Sequence, residues 1–289
     1  LETPIYITKA SGKSVPFSAE KLKKSLKNSG ADDAVIHTIL QEVTANLYEG
    51  MPTGKIYKMA FRLLKQRGNH IAAKYNLKQG IMELGPSGYP FELFVGELFK
   101  HQGYSVLIGQ IIQGKCVTHE IDVVARKGMD ALMIECKYHN QSGTISDVKI
   151  PLYIQSRFKD VEQTWLSIKG NENINLRGSV ITNTKFTTDA IKYGTCAGLD
   201  LLGWDYPSKK SLKGQIDASG LYPITCLTTL TKQEKQRLLD DKIVLCKSIL
   251  ENSSMLERHG ILAKRAQTIL AEVKALCIET KQKNDYSKK

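Results

Sequence analysis

The sequence predicts a multidomain α/β protein, and three observations carry the prediction. At 289 residues with 42% apolar side chains, the chain exceeds the ~100–200 residues of a typical domain and can build more than one core. Its apolar period changes from helical spacing to strand alternation and back, with a clear break at Gly85-Pro-Ser-Gly-Tyr-Pro90. Its formal charge of +12 is uneven: residues 1–88 carry a net +6, residues 89–205 a net −1 and residues 206–289 a net +7. Segments 1–86, 87–206 and 207–289 are therefore expected to be separate domains.

The first segment reads as ββαααα. Ile5–Lys9 and Lys13–Phe17 flank the turn-like Ala10-Ser11-Gly12 and suit a hairpin. Ser18 caps a helix through Leu22 and Leu26 that stops at Gly30, and Asp32 caps the next, with Val35, Ile39, Val43 and Leu47 at helical spacing. A third helix runs from Thr53 to Gly68, and a fourth covers about residues 70–83.

The central segment opens with an amphipathic helix from Phe91 to Gln102, closed by Gly103. Strands are expected at Tyr104–Ile112, Cys116–Ala125 and Ala131–Tyr138, followed by a helix over about 146–168. A strand at Ser179–Thr182, a helix at Thr187–Cys196 and a strand at Leu199–Trp204 complete it. The order is α-β-β-β-α-β-α-β, an αβββαβ core with the antiparallel part of a mixed sheet first. The last segment is helical and Lys-rich, and its polar end Lys281–Lys289 is expected to fray.

The chemistry concentrates in Thr118–Tyr138. A hairpin turning at Gly128-Met129 pairs Asp122 with Glu135 and Glu120 with Lys137, and alternation puts all four on one face. Ile121, Val123 and Ala125 against Leu132, Ile134 and Cys136 form the apolar face. Opposed carboxylates destabilise a sheet unless a cation joins them, and hard oxygen donors at this spacing suit Mg²⁺ or Mn²⁺. The peptide carbonyl of Cys136 offers a further oxygen, and Lys137 stands beside the metal position to orient or help deprotonate a water. An ordinary half-exposed hairpin with a charged outer face reads the same residues without chemistry, and a one-residue slip would break the geometry.

Asp122…Glu135-Cys136-Lys137, preceded by the helix Tyr89–Tyr104, resembles the PD-(D/E)XK nuclease superfamily, and its Mrr-like restriction endonuclease branch in particular. Val180–Ala190 and Leu199–Trp204 are similar to that branch's later strand-helix-strand, so the likeness spans about residues 89–205. The resemblance implies Asp122 and Glu135 as metal ligands, Lys137 as the catalytic lysine and Glu92 as the acidic residue of the first helix. His119-Glu120 departs from the glycine-rich approach of many relatives and leaves Glu120 as third ligand or partner of Lys137. Gln155, Arg157 and Lys149 follow on the next helix. Gln155 reaches the site and the basic pair holds phosphate in one reading, and all three line a solvated face in the other.

Ile7–Gly12 followed by Val15–Leu22 resembles the ATP-cone, a regulatory nucleotide-binding domain, over about residues 5–85. That likeness implies ATP or dATP held by Lys9, Gly12, Lys21, Thr53 and Tyr57, and nucleotide-dependent homo-oligomerisation. The missing Lys-Arg-Asp-Gly pattern leaves a packing module as the alternative. Lys242–Leu250 and Leu256–Leu270 are similar to helix-hairpin-helix modules, with Leu262 where the second glycine belongs and Lys264 and Arg265 as phosphate contacts. An apolar packing module with a basic surface is the competing account.

No apolar run approaches the ~20 residues of a membrane span. Leu1-Glu-Thr-Pro carries no signal-peptide core, and the missing Met reads as a start after a processed residue or tag. Six dispersed cysteines without a C-x-x-C pair argue against a zinc ribbon and a disulfide scaffold and point to reduced, cytoplasmic thiols. The expectation is a Mg²⁺- or Mn²⁺-dependent DNA endonuclease under purine-nucleotide control, acting against foreign DNA. A nucleotide-sensing DNA-binding regulator with an inert nuclease fold, and a structure-specific or RNA nuclease, remain open beside it.

Overall fold

The computed structural model describes residues 4–286, with side chains through Cys277. The chain divides into two compact units, residues 1–83 with 222–289, and residues 84–221. The last segment thus joins the first in one unit, where the sequence pointed to three separate domains. That packing is between distant parts of the chain, which no local pattern announces.

In the first unit, β1 (Tyr6–Thr8) pairs antiparallel with β2 (Ser14–Pro16) around the left-handed Gly12 (φ 78°). The helix α1 (Ala19–Asn28) starts at Ser18, whose hydroxyl accepts from the Lys21 N–H, and α2 (Asp33–Ala45) starts at Asp32, which accepts from Val35 N–H. A short β3 (Met51–Pro52) then pairs parallel with β1 and leads into α3 (Thr53–Arg67). The expected fourth helix is two, α4 (Asn69–Tyr75) and α5 (Leu77–Met82), meeting at Asn76. Leu26, Ile39, Val43, Met51 and Leu64 are fully buried between these helices and the small sheet.

The second unit begins with α6 (Tyr89–His101). Three strands follow, β4 (Ser105–Gln113), β5 (Thr118–Lys127) and β6 (Asp130–Lys137). After β7 (Ile145–Ser146) come α7 (Lys149–Leu166), β8 (Asn175–Thr182), β9 (Lys185–Phe186), α8 (Thr188–Cys196), β10 (Asp200–Leu202) and α9 (Leu212–Ser219). The main sheet has the order β10-β8-β6-β5-β4, antiparallel through β4-β5-β6 and parallel through β6-β8-β10. This is the mixed sheet expected from the sequence, with the minor pair β7-β9 in addition.

The second half of the first unit holds α10 (Lys232–Asp240), α11 (Cys246–Glu251), α12 (Met255–Arg258) and α13 (Ala263–Tyr286). Glu272, 3% exposed, accepts from the N–H and hydroxyl groups of both Thr228 and Thr229, which ties α13 to the loop before α10. Thr225 Oγ1 donates to the Gly80 carbonyl, and a Cβ on Gly80 would lie 2.8 Å from that of Cys226, so α5 and the C-terminal segment pack backbone to backbone. Of the polar end Lys281–Lys289, helix α13 continues to Tyr286 and the rest lies outside the described residues. Among the described residues, no helix is long and apolar enough to cross a membrane.

Candidate active site

The β5-β6 hairpin adopts the register that puts Asp122 level with Glu135: Val123 pairs with Ile134, and the ladder runs to Lys127 with Asp130. Beyond Val123 the two strands part. β6 continues along β8, with Glu135 beside Val180 and Lys137 beside Thr182. The Asp122 Oδ2 closes the fork by accepting from the Cys136 N–H at 2.7 Å. On the other side of β5, the β4 ladder skips Gly109, whose φ of 61° interrupts the pairing between Ile108 with Val123 and Gln110 with Ile121.

Strict alternation fails at the same point. Ile121 packs in one cluster with Val124, Ala131, Met133 and Phe158, rather than on the opposite face with Val123 and Ala125. The apolar face drawn from period 2 is therefore wrong at Ile121. The change falls where Gly109 and Asp122 drop out of the β4-β5 ladder and the β5-β6 ladder ends at Val123.

Four carboxylates converge on this fork. Glu92, from the first turn of α6, is half-buried and pushed up to about 7, by burial first and then by the charges of Asp122, Glu120 and Glu135. Asp122 is pushed up to about 6 by burial and by Glu135, against the opposing pull of the Cys136 N–H and Arg157. Glu120 is exposed at the rim. Burial drives the Cys136 thiol well above its usual range, so it stays protonated, and its peptide oxygen accepts from the Tyr138 N–H at 3.1 Å.

Arg157 enters this acidic group from α7. Its Nη1 donates to Glu135 Oε2 at 2.7 Å and its Nη2 donates to the peptide oxygen of Glu120. Sequence reasoning placed Arg157 on a phosphate or in solvent, and the structure puts it on a carboxylate. Gln155 Oε1 is buried with no hydrogen-bond partner among the described residues, and Lys149 is exposed at the start of α7.

Past Lys137 a polar network holds the strand end. Thr182 Oγ1 donates to the Lys137 carbonyl at 2.8 Å, while Asn183 accepts from the His139 N–H and donates to the His139 carbonyl. Thr182, Asn183 and Thr184 are buried, and Thr182 Oγ1 also lies 3.1 Å from Thr184 Oγ1. The hydroxyls of Thr182 and Thr184 thus fix the backbone from which Lys137 projects. The run Thr182-Asn-Thr184 was legible only as part of a strand-helix pattern, because nothing local shows that it meets Lys137.

The donor set suits a hard divalent cation. Mg²⁺ is commonly held by one or two carboxylates with the remaining positions filled by water, and here one oxygen of Asp122 is bound by an N–H and one of Glu135 by Arg157. Among the described residues, no group of three or more His, Cys, Asp or Glu side chains is arranged to hold a metal ion, so a cation here would rely on one or two carboxylates. Glu92 and Asp122 are held above their ordinary range by burial first and by the neighbouring carboxylates second, and a cation would relieve the repulsive part.

The other expected sites lie in the first unit. Because β1 and β3 run parallel, Lys9 and Thr53 leave the same end of that sheet, at the Gly12 turn. Lys21, in the first turn of α1, starts from the opposite end of the β1-β2 hairpin. Tyr57 is turned inward: it stacks 5.1 Å from Tyr75 and donates to Asn76 Oδ1 at 2.5 Å. Burial holds its hydroxyl protonated far above the ordinary range. Arg265, expected on phosphate, binds Glu234 and the Thr229 carbonyl, while the hairpin tip Leu262 is 78% exposed.

Comparison with known proteins agrees with this geometry. The family model described as a PD-(D/E)XK nuclease superfamily domain matches residues 63–172, which include Glu92, Asp122, Glu135 and Lys137. The chain carries a domain of that superfamily. A second family model, AF1548-like, C-terminal, matches residues 222–277. An uncharacterized protein of Archaeoglobus fulgidus is 34% identical over 186 residues, 62% of this chain and 98% of the relative. The structure titled "Crystal Structure of Protein of Unknown Function AF1548" is 33% identical, with a TM-score of 0.55, covering 66% of this chain and 98% of its own. The chain belongs to the AF1548-like family.

Proposed function

We propose that the protein is a divalent-metal-dependent nuclease that hydrolyses phosphodiester bonds in DNA. One observation supports the reading: where β5 and β6 part, Asp122 accepts from the N–H of Cys136, the residue next to Glu135, with Lys137 two residues on from Glu135 along β6. Asp122 and Glu135 would hold Mg²⁺ or Mn²⁺, with the Cys136 carbonyl as a third oxygen, and the bound ion would supply an activated water and charge stabilisation on the phosphoryl oxygen. Lys137 orients that water and takes part in its deprotonation. Glu92, whose carboxyl is held up to about 7 by burial and by the charges of Asp122, Glu120 and Glu135, would exchange a proton at the rim of the fork. The water oxygen bonds to phosphorus as one of its protons passes to solvent, the bond from phosphorus to the leaving ester oxygen breaks, and that oxygen takes up a proton from solvent.

The finer reading follows the Mrr-like branch and a role against foreign DNA. It also takes the first unit as a module that binds ATP or dATP and associates with copies of itself. What supports the nucleotide site is the placement of Lys9, Gly12 and Thr53 at one end of the β2-β1-β3 sheet. The inward Tyr57 belongs to the core rather than to a ligand.

The test is cleavage of supercoiled plasmid, single-stranded DNA and RNA with Mg²⁺ or Mn²⁺, with and without ATP or dATP. The expected result is metal-dependent cleavage of DNA by the wild type and none by Glu135→Ala or Lys137→Ala. Salt-sensitive DNA binding without hydrolysis would favour an inert regulator, and preferential cleavage of RNA would move the substrate class.

A further inference from the structure

Arg157 occupies an unusual position for a structural ion pair. It lies among residues of α7 whose neighbours Ile154, Phe158 and Val161 are buried, so the helix is fixed against the sheet and presents the guanidinium to the fork. There the side chain is 15% exposed, bound to Glu135 and to the Glu120 carbonyl. Four residues earlier on the same helix, Tyr153 places its ring 5.5 Å from the guanidinium carbon while remaining 62% exposed. Arg157 therefore has a carboxylate on one side and an aromatic face leading to solvent on the other.

We propose that Arg157 is an exchangeable counter-ion of the active site. It holds Glu135 while no divalent cation does, and passes over the Tyr153 ring to the phosphate of a bound strand when a cation takes that carboxylate. The proposal rests on the nuclease reading and deepens it. A planar guanidinium matches a carboxylate and a phosphate in the same fork geometry, so the exchange trades one anion for another of similar shape. In the metal-free protein, Arg157 limits the repulsion among the carboxylates. In the loaded protein, it grips the substrate anion that the acidic fork would otherwise repel.

Two consequences have opposite signs, which a purely structural arginine would not give. Arg157 and a divalent cation compete for Glu135, so Arg157→Gln binds Mn²⁺ more tightly. Removing one positive charge in direct contact with the ligand carboxylate strengthens Mn²⁺ binding on the order of tenfold. The same variant binds a single-stranded oligonucleotide more weakly in Ca²⁺, by a comparable factor, because the phosphate loses its bidentate donor. Arg157→Lys, which keeps the charge without the fork, falls between the two for both readouts.

The experiment is calorimetric titration of the intact chain with Mn²⁺ alone, then oligonucleotide binding in Ca²⁺, for wild type, Arg157→Gln and Arg157→Lys. Melting in EDTA, followed by tryptophan fluorescence, establishes that each variant is folded. Tighter Mn²⁺ binding together with weaker DNA binding supports the exchange. Equal or weaker Mn²⁺ binding by folded Arg157→Gln, in a wild type that binds Mn²⁺ and cleaves DNA, overturns it and leaves the nuclease reading standing. If Arg157→Gln does not fold, folded Arg157→Lys decides by the same two signs. A wild type that neither binds Mn²⁺ nor cleaves sinks both readings together.

Discussion

Replacing Asp122 with asparagine should make the second unit more stable while removing its activity. Burial and the facing Glu135 raise the Asp122 pKa from 3.8 to about 6. The folded state thus binds this proton more tightly than the unfolded chain, so stability falls as pH rises from ~4 through about 6 and stays low above it. At ~1.4 kcal/mol per pKa unit, the ionised carboxylate costs about 3 kcal/mol at pH 8. Asparagine keeps a carbonyl oxygen for the Cys136 N–H and carries no charge, so Asp122→Asn recovers about 2–3 kcal/mol at pH 8 and nothing below pH ~4. The chain's two tryptophans, Trp165 and Trp204, both lie within residues 84–221, so fluorescence-detected urea unfolding in EDTA reads this unit directly. Adding Mg²⁺ at pH 8 should raise the wild-type midpoint and leave that of Asp122→Asn nearly unmoved. A variant that is less stable at pH 8, or equally stabilised at pH 8 and pH 4, would refute the reasoning.

Further outcomes follow from the same geometry. Mn²⁺ affinity, measured by calorimetry, should rise as pH goes from 5 to 7.5, because Asp122 and Glu92, at about 6 and about 7, give up their protons over that range. Gly178→Ala would bring a Cβ within 2.9 Å of Phe158 Cγ, between β8 and α7, and should cost about 1–3 kcal/mol in the same unfolding assay. In the other unit, Glu272→Ala should cost about 2–4 kcal/mol, because it strands the N–H groups of Thr228 and Thr229, and circular dichroism would follow the loss. Asp160→Ala should lower the tryptophan-detected midpoint. Asp160 accepts from the Cys116 and Val117 N–H groups and pairs with His119 at 2.8 Å, which fastens the β4-β5 turn to α7.

Much of the strand pair at the candidate site is legible in the residues from Thr118 to Tyr138. The turn at Gly128-Met129 and the alternation of Val123–Lys127 against Asp130–Ile134 determine the register, and the register brings Asp122 level with Glu135. Alternation does not reveal where it stops. Ile121 changes sides where Gly109, on another strand, is left-handed and leaves the ladder opposite Asp122. Arg157 looks like any basic residue on a helix until the sheet places Glu135 2.7 Å away. The short strands β3, β7 and β9 leave no periodic signal in two residues each, and their partners are distant in sequence. Tyr57 shows the converse failure, since the stack with Tyr75 and the bond to Asn76 that turn it inward come from α4 and its end rather than from its own helix.

The central claim is that Asp122, Glu135 and Lys137 form a metal-dependent hydrolytic site. The most direct test is the single-turnover rate of DNA cleavage in Mn²⁺ for wild type and Asp122→Asn, each shown to be folded at pH 8. Cleavage by the wild type, abolished by EDTA and reduced at least ~1,000-fold in the more stable variant, is the predicted result. Equal cleavage by the two proteins, or cleavage indifferent to EDTA, would contradict the account.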